Sequence, residues 1–448
     1  MSAGLTLAVV LGGALAAGAA RDARGHEQSR SAGTSAPAVQ ASPSTPTGVP
    51  DTASRTAVFA EAQRLLNVRA KAIMTHDRRA FMAGLLPGDA ALRKEQDALW
   101  RSLSRLPVEE ATITVDDESA LSVPKAQRRY GSHAWVVAGR TGLDMNQYGE
   151  SLHYVEPFTV VPHQGQWYIA SDRLGLDQVR DKGDIVPWEL GETWSTTGRS
   201  SLVIANAKER GQLKRLAARV DAAVDADTAL WPESSNRVVV FASGEPAALR
   251  SMSGGDDSPP LALTLGRSGA ADTHGSAVDV HVILNARSPQ ARTDIVLRHE
   301  VTHALLMTHE YAGTPAWIAE GVAEYTAYRT RTASQVMRER GLEMATGRAL
   351  EARRFRISLP GSVHFYDGSD AAVSQHYTDS MLVCAYVAHR YGEKKLVRLH
   401  DELGLILNRR ETARREPDTV RTVLGVSEAH LVDAAAQWTQ QVFDDTYR

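Results

Sequence analysis

The chain has 448 residues, enough for two or three domains with full-sized cores. Its 50 Lys and Arg against 53 Asp and Glu leave a net charge of −3 with no long basic or acidic block, which argues against a nucleic-acid groove. The single cysteine, Cys384, rules out an internal disulfide.

The first segment, Leu5–Ala20 (LTLAVVLGGALAAGAA), is a short apolar run ending in small residues. It reads as the core of a signal peptide, with cleavage near Ala17-Gly18-Ala19 or Ala19-Ala20. No Lys or Arg precedes it, so the basic leading region is missing, and a short uncleaved anchor over residues 1–21 is the alternative. The run is short for a span of roughly 20 residues. No Cys follows it that could carry a lipid. The expectation is export: a secreted or envelope-associated protein that meets a membrane only through this segment, if uncleaved. Residues 22–55 are rich in Ser, Thr, Pro, Ala and Gly and cannot bury enough apolar area to fold, so they read as a flexible linker.

Residues 56–187 read as a small α+β domain. Ala57–Thr75 is an amphipathic helix on Val58, Ala62, Leu65, Leu66, Val68 and Ala72, followed by helices over Arg78–Leu85 and Ala91–Leu106. Strands follow at Ala111–Val115, His133–Ala138, Tyr154–Val161 and Gln166–Ser171, the last two joined by a turn at 163–166. Helices followed by a meander resemble the NTF2-like, cone-shaped fold, and FTVVPHQGQWYIAS resembles its closing hairpin. His153, His163 and Asp172 read as solvated polar residues, and the domain as a non-catalytic partner of the C-terminal half.

Residues 188–448 hold the candidate chemistry. Ser201–Ala205 and Arg237–Ala242 read as strands flanking a helix over Ala207–Val224, and residues 252–275, dominated by Gly, Ser, Asp and Pro, as a mobile loop. Ala277–Asn285 (AVDVHVILN) alternates, is β-rich and reads as a strand just before the next helix. Downstream, helices are expected over Ala333–Ala349, Ser374–Tyr391 with Gly392 as its cap, Glu393–Leu403, Thr419–Leu424 and Ser427–Phe443, with Ile357–Asp367 as a loop. Cys384, inside SMLVCAYVA, is expected to be a buried, inert thiol.

Between these lies His299-Glu300-Val301-Thr302-His303 in an apolar helical run. On a helix His299 and His303 sit one turn apart on one face and can share a metal ion, with Glu300 beside a metal-bound water. Gly313 is expected to break that helix and Thr314 to cap a second one, with Pro315 in its first turn. The second helix carries Trp317, Glu320 and Glu324. If it folds back antiparallel, Glu320 supplies a third ligand and leaves one position open, as in a catalytic zinc site. The bland alternative makes both histidines satisfied core or surface residues and Glu320 a surface charge.

HEVTHALL followed by PAWIAEGVAEY resembles the gluzincin metallopeptidases, the peptidase MA-like group in particular. HYTDSMLVCAYVAHRYG and VRTVLGVSEAHLVDAAAQWTQQV extend the resemblance over roughly residues 195–445. It implies a zincin-type domain with a mainly helical C-terminal part and one Zn2+ on His299, His303 and Glu320, and it makes Ala277–Asn285 an edge strand that binds an extended peptide by backbone pairing, with an ordinary sheet strand as the alternative. It makes Glu300 general base and acid, and puts Glu324 behind a ligating His, with a surface carboxylate as the alternative. Tyr377 falls near the family's oxyanion-binding Tyr, with His376 as rival. The Gly-x-Met-Glu-Asn motif of M1-type aminopeptidases is missing, which favours endopeptidase action on peptide or protein substrates. An inactive peptidase-like scaffold of the cell envelope and a zinc hydrolase of a non-peptide amide are the competing readings.

Overall fold

The computed structural model describes residues 52–116, 124–145, 151–176, 185–232, 234, 236–254, 261–268, 277–289, 293–339, 346–361 and 364–447. The expected signal or anchor segment and nearly all of the expected linker lie outside them. The described chain is mixed α+β with a curled half-barrel sheet.

Helices α1 (Thr52–Met74), α2 (Arg78–Ala83) and α3 (Ala90–Leu103) come first. Asp77 and Asp89 cap the second and third, accepting from Ala80 N and Leu92 N. Strand β1 (Glu110–Val115), helix α4 (Pro124–Tyr130), and strands β2 (Trp135–Asp144), β3 (Ser151–His163) and β4 (Gln166–Ser171) follow. The four strands pair in sequence order as an antiparallel meander. The hairpin between β3 and β4 turns on Gln164 (φ 50°) and Gly165 (φ 77°), the paired positive φ of a two-residue turn whose twist matches its strands. Asp172 corrects the expectation of a solvated residue. It is buried, accepts from Gln96 Nε2 at 2.5 Å and lies 3.8 Å from the Arg69 guanidinium, because a buried arginine needs a nearby carboxylate. His153 is mostly exposed but reaches Asp279 at 2.9 Å, and His163 packs edge-on against Tyr168.

The second sheet has β5 (Thr193–Thr197), β6 (Ser201–Asn206), helix α5 (Leu213–Thr228), β7 (Val238–Ser243), helix α6 (Pro246–Ser253), β8 (Ala262–Ser268) and β9 (Ala277–Asn285). Its order is β5-β6-β7-β9-β8, parallel between β6, β7 and β9 and antiparallel at both ends. Both faces are buried, which is why β6 and β7 read as unbroken apolar runs. Leu202, Ile204, Val239, Phe241 and Ile283 join the core formed with α1–α3 and the first sheet. Val203, Ala205, Val240, Val282 and Leu284 pack on the helical side. The expected boundary at 187/188 therefore falls beside a core shared by both halves.

Two expectations change here. The stretch read as a loop, 252–275, contains strand β8, whose pattern is diluted by the Gly and Ser around it. Ala277–Asn285 is a strand but an inner one, paired on both sides by β7 and β8. Among the described residues the edges are β5 and β8.

The remaining elements are α7 (Asp294–Leu306), α8 (Ala316–Tyr328), α9 (Ala333–Glu339), α10 (Thr346–Glu351), α11 (Asp370–Tyr391), α12 (Glu393–Gly404), α13 (Arg409–Leu424) and α14 (Glu428–Tyr447). Of the expected helix over Ala333–Ala349, Ala333–Glu339 and the stretch from Thr346 on are helical, and 340–345 lie outside the described residues. α11 begins at Asp370, four residues earlier than expected, because Ser369 caps it by accepting from Ala372 N. α13 likewise runs well upstream of Thr419, with Pro417 inside it. α8 and α11–α14 share a third core with Trp317, Phe365 and Tyr377, where Cys384 is fully buried. No helix among the described residues is long and apolar enough to cross a membrane.

Candidate metal centre

Helix α7 is buried all round from Leu297 to Leu306, so its polar groups must find partners inside the protein. Thr293 caps its start by accepting from Val296 N. The helix ends at Leu306 and a single 3-10 turn runs to His309. Gly313 thus does not terminate it. Gly313 instead donates to Ile406 O at 2.9 Å, and a Cβ there would lie 2.4 Å from that oxygen, so only glycine allows this approach to the α12–α13 connection. Thr314 does not cap α8 either. Its hydroxyl turns back to Tyr311 O, and Pro315 occupies the cap position.

The α8 residues that meet α7 count down as α7 counts up: His303 meets Glu320, His299 meets Glu324 and Arg298 meets Ala327. The helices are therefore antiparallel, the arrangement that lets Glu320 join the histidine pair. Behind them Arg298 is clamped to Asp227 of α5, Nε to Oδ1 at 2.8 Å, and donates to Ala327 O at 3.2 Å. Thr302 adds a longer contact to Asp227 at 3.3 Å. Burial raises Asp227 to about 6, against the opposing pull of Arg298.

Three donor atoms converge. His299 Nε2 and His303 Nε2 are 3.1 Å apart, and Glu320 Oε2 lies 3.0 Å from the second and 3.4 Å from the first. All three residues are buried. Tetrahedral zinc with bonds of about 2.0–2.1 Å separates its ligands by roughly 3.3 Å, so the triangle has the size such an ion requires. Two buried imidazole nitrogens 3.1 Å apart cannot both present lone pairs, so a proton or a metal ion must lie between them. Burial opposes charge on His303, but Glu320 outweighs it and raises the imidazole to about 9. Glu320 is correspondingly held far below the ordinary carboxylate range by the two histidines, against its own burial.

Around this group each polar atom is placed by a neighbour. Glu300 is buried and accepts from Thr264 Oγ1 at 2.7 Å, and burial keeps its carboxyl above the usual range. Glu324 is buried, so it is no surface carboxylate, and its Oε1 lies 3.5 Å from His299 Nδ1. Tyr366 donates to the second Glu320 oxygen at 2.5 Å. Tyr377 is almost fully buried, with its ring 6.0 Å from that of His299, and its hydroxyl makes no hydrogen bond of good geometry among the described residues. Burial and Glu320 hold both phenols well above the usual tyrosine range. His376 is half-buried and donates from Nδ1 to Phe365 O at 2.7 Å. Of the two rivals, Tyr377 is the one whose ring faces the histidine pair.

The sequence reading missed Tyr366, Thr264 and Asp227. Tyr366 sits in a loop and Thr264 in a stretch read as one, where no period points to a site. Asp227 did leave a signal. It continues the buried stripe Leu213, Leu216, Val220, Val224 of α5, and an acid on an apolar stripe needs a buried partner.

Compared with profiles of known protein families, with curated proteins and with solved structures, the chain has no match.

Proposed function

We propose that this protein is an exported zinc-dependent metallopeptidase of the gluzincin kind, cleaving internal bonds of peptides, with an NTF2-like unit packed on its catalytic half. The observation that carries the reading is the buried triangle of His299, His303 and Glu320 with Glu300 on the same helix turn. A bound zinc ion would supply Lewis acidity and a water of lowered pKa.

The chain's own groups then have defined work. His299 and His303 would hold the ion as neutral imidazoles, so binding would release any proton shared between them. Glu324 faces His299 Nδ1 and favours a proton there, which leaves Nε2 as the ligand atom. Tyr366 fixes one oxygen of Glu320 and leaves the other for the ion. Glu300, oriented by Thr264, accepts the proton of the attacking water and passes it to the leaving amine. Its raised pKa suits both halves of that exchange. Tyr377 is the candidate donor to the developing oxyanion. Strand β8 carries Thr264 and is, among the described residues, an edge of the sheet beside α7, so its outer side is the candidate for pairing with an extended peptide.

A peptide-library digest with and without chelator, run beside Glu300→Gln, tests this. Cleavage should stop with chelator and fall by several orders of magnitude in the variant, with the metal retained. Chelator-resistant cleavage, or equal activity in the variant, would contradict the proposal. Cleavage of non-peptide amides alone would move the assignment to that class.

A further inference from the structure

A cavity of about 370 Å3 lies behind the metal helix, between α5, the first turns of α7 and the residues after α8. On α7 it is lined by Asp294, Ile295, Leu297 and Arg298, and none of His299, His303 and Glu320 lines it. Its volume is that of a small-molecule site. Three alanines of α5 line it, and their short side chains leave the room. Four arginines surround that room: Arg215, Arg219, Arg298 and Arg331.

Like charges are seldom gathered around a cavity without an anion to justify them. Three carboxylates touch this set. Asp227 binds Arg298, Asp294 binds Arg219 at 2.9 Å, and Glu339 lies 3.5 Å from Arg331 Nε. Among the described residues that leaves one positive charge over. Two of the three pairs are weak competitors, because Asp294 is 72% exposed and Glu339 39% exposed. Among the described residues a buried donor also lacks a hydrogen bond: Arg298 Nη2, on a side chain only 9% exposed. Buried unsatisfied guanidinium donors are uncommon and call for an acceptor. The start of α7 adds the positive end of a 13-residue helix.

We propose that this cavity binds a small phosphate-bearing anion. Planar guanidinium groups from separate elements match the several oxygens of a phosphate better than the two of a carboxylate. The bound anion would give an acceptor to Arg298 Nη2 and tie α5, α7 and the segment after α8 together. It would do so one residue from His299 without touching the metal ligands. The site is independent of what the metal centre hydrolyses.

Titration calorimetry of the full chain with inorganic phosphate, against chloride and acetate at matched ionic strength, tests the proposal. The expected result is saturable phosphate binding at one site per chain, at least tenfold tighter than either control. It should be accompanied by a rise in melting temperature that grows with phosphate concentration. Arg215→Ala/Arg219→Ala should weaken phosphate binding at least tenfold, and Arg331→Ala should weaken it too. Arg215 is exposed and Arg219 half-buried, and neither touches a metal ligand, so the double variant should keep its circular dichroism and its metal content. Phosphate heats no different from chloride would overturn the proposal, as would unchanged affinity in a folded double variant. Acetate binding as tightly as phosphate would overturn the assignment to phosphate.

Discussion

Asp227→Ala is the most informative structural change away from the metal ligands. Asp227 is fully buried, and its carboxylate takes Arg298 Nε at 2.8 Å and faces Thr302 at 3.3 Å. Removing it leaves the Arg298 guanidinium in the interior without its counter-charge. Breaking one side of a buried ion pair costs about 3–5 kcal/mol. At about 2.1 cal/mol/K per residue, a chain of 448 residues has an unfolding entropy near 0.9 kcal/mol/K, so the melting temperature should drop by about 3–5 °C if it unfolds as one unit. Replacing both partners by apolar residues, Asp227→Leu with Arg298→Met, removes the stranded charge and should recover most of that loss. Denaturant unfolding of wild type, the single variant and the double variant completes the cycle. The pair also sets the register of α7, because Arg298 reaches Ala327 O on α8, so the single variant should bind metal more weakly. A cost below about 1 kcal/mol with unchanged metal affinity would refute the idea that this pair locks the two ligand helices.

Other changes probe different parts of the molecule. Tyr366→Phe removes the hydrogen bond to Glu320 with little change in volume and should lower metal affinity about 10–100-fold, read by chelator competition, with the fold retained. Gly321→Ala sets helix propensity, which favours alanine by about 1 kcal/mol, against a clash. The added Cβ would lie 2.7 Å from Cys384 Sγ and 2.8 Å from Ser380 O, and the backbone oxygen cannot swing away, so the clash should win by about 1–3 kcal/mol in denaturant unfolding. His400 gives a pH signature. Burial opposes its charge, but Asp401 and Glu310, the latter at 2.8 Å from Nε2, more than offset that and raise it from 6.5 to about 9. Its stabilisation is fully present below pH 6.5 and is lost as the pH rises through about 9, on the order of 3 kcal/mol in all. His400→Gln should flatten that part of the stability profile, and an unchanged slope would count against the charged pair.

The metal centre was the most legible part of this chain. Two histidines at helical spacing inside an apolar run, and a carboxylate on a second apolar helix, are local patterns that need only the antiparallel return of α8 to converge. The strand at Ala277–Asn285 was legible as a strand but not as an inner one. Alternation reports burial, and strand order depends on β8, whose apolar residues are few and lie in a Gly- and Ser-rich stretch. Asp172 was misread because polarity alone does not reveal a buried Arg69 that a distant helix brings beside it. Tyr366 was invisible for a similar reason. A loop residue has no period, and its contact with Glu320 spans 46 positions in sequence. The helix ends near Gly313 and Thr314 were misplaced because what decides them is the long-range contact with Ile406.

The central claim is that His299, His303 and Glu320 hold one metal ion. Equilibrium dialysis of the full chain against zinc, followed by elemental analysis, measures this directly. Wild type should retain one zinc per chain, while His303→Ala and Glu320→Gln should lose it under the same conditions with their secondary structure intact. A wild-type protein that retains no metal, or variants that still carry one ion per chain, would contradict the assignment.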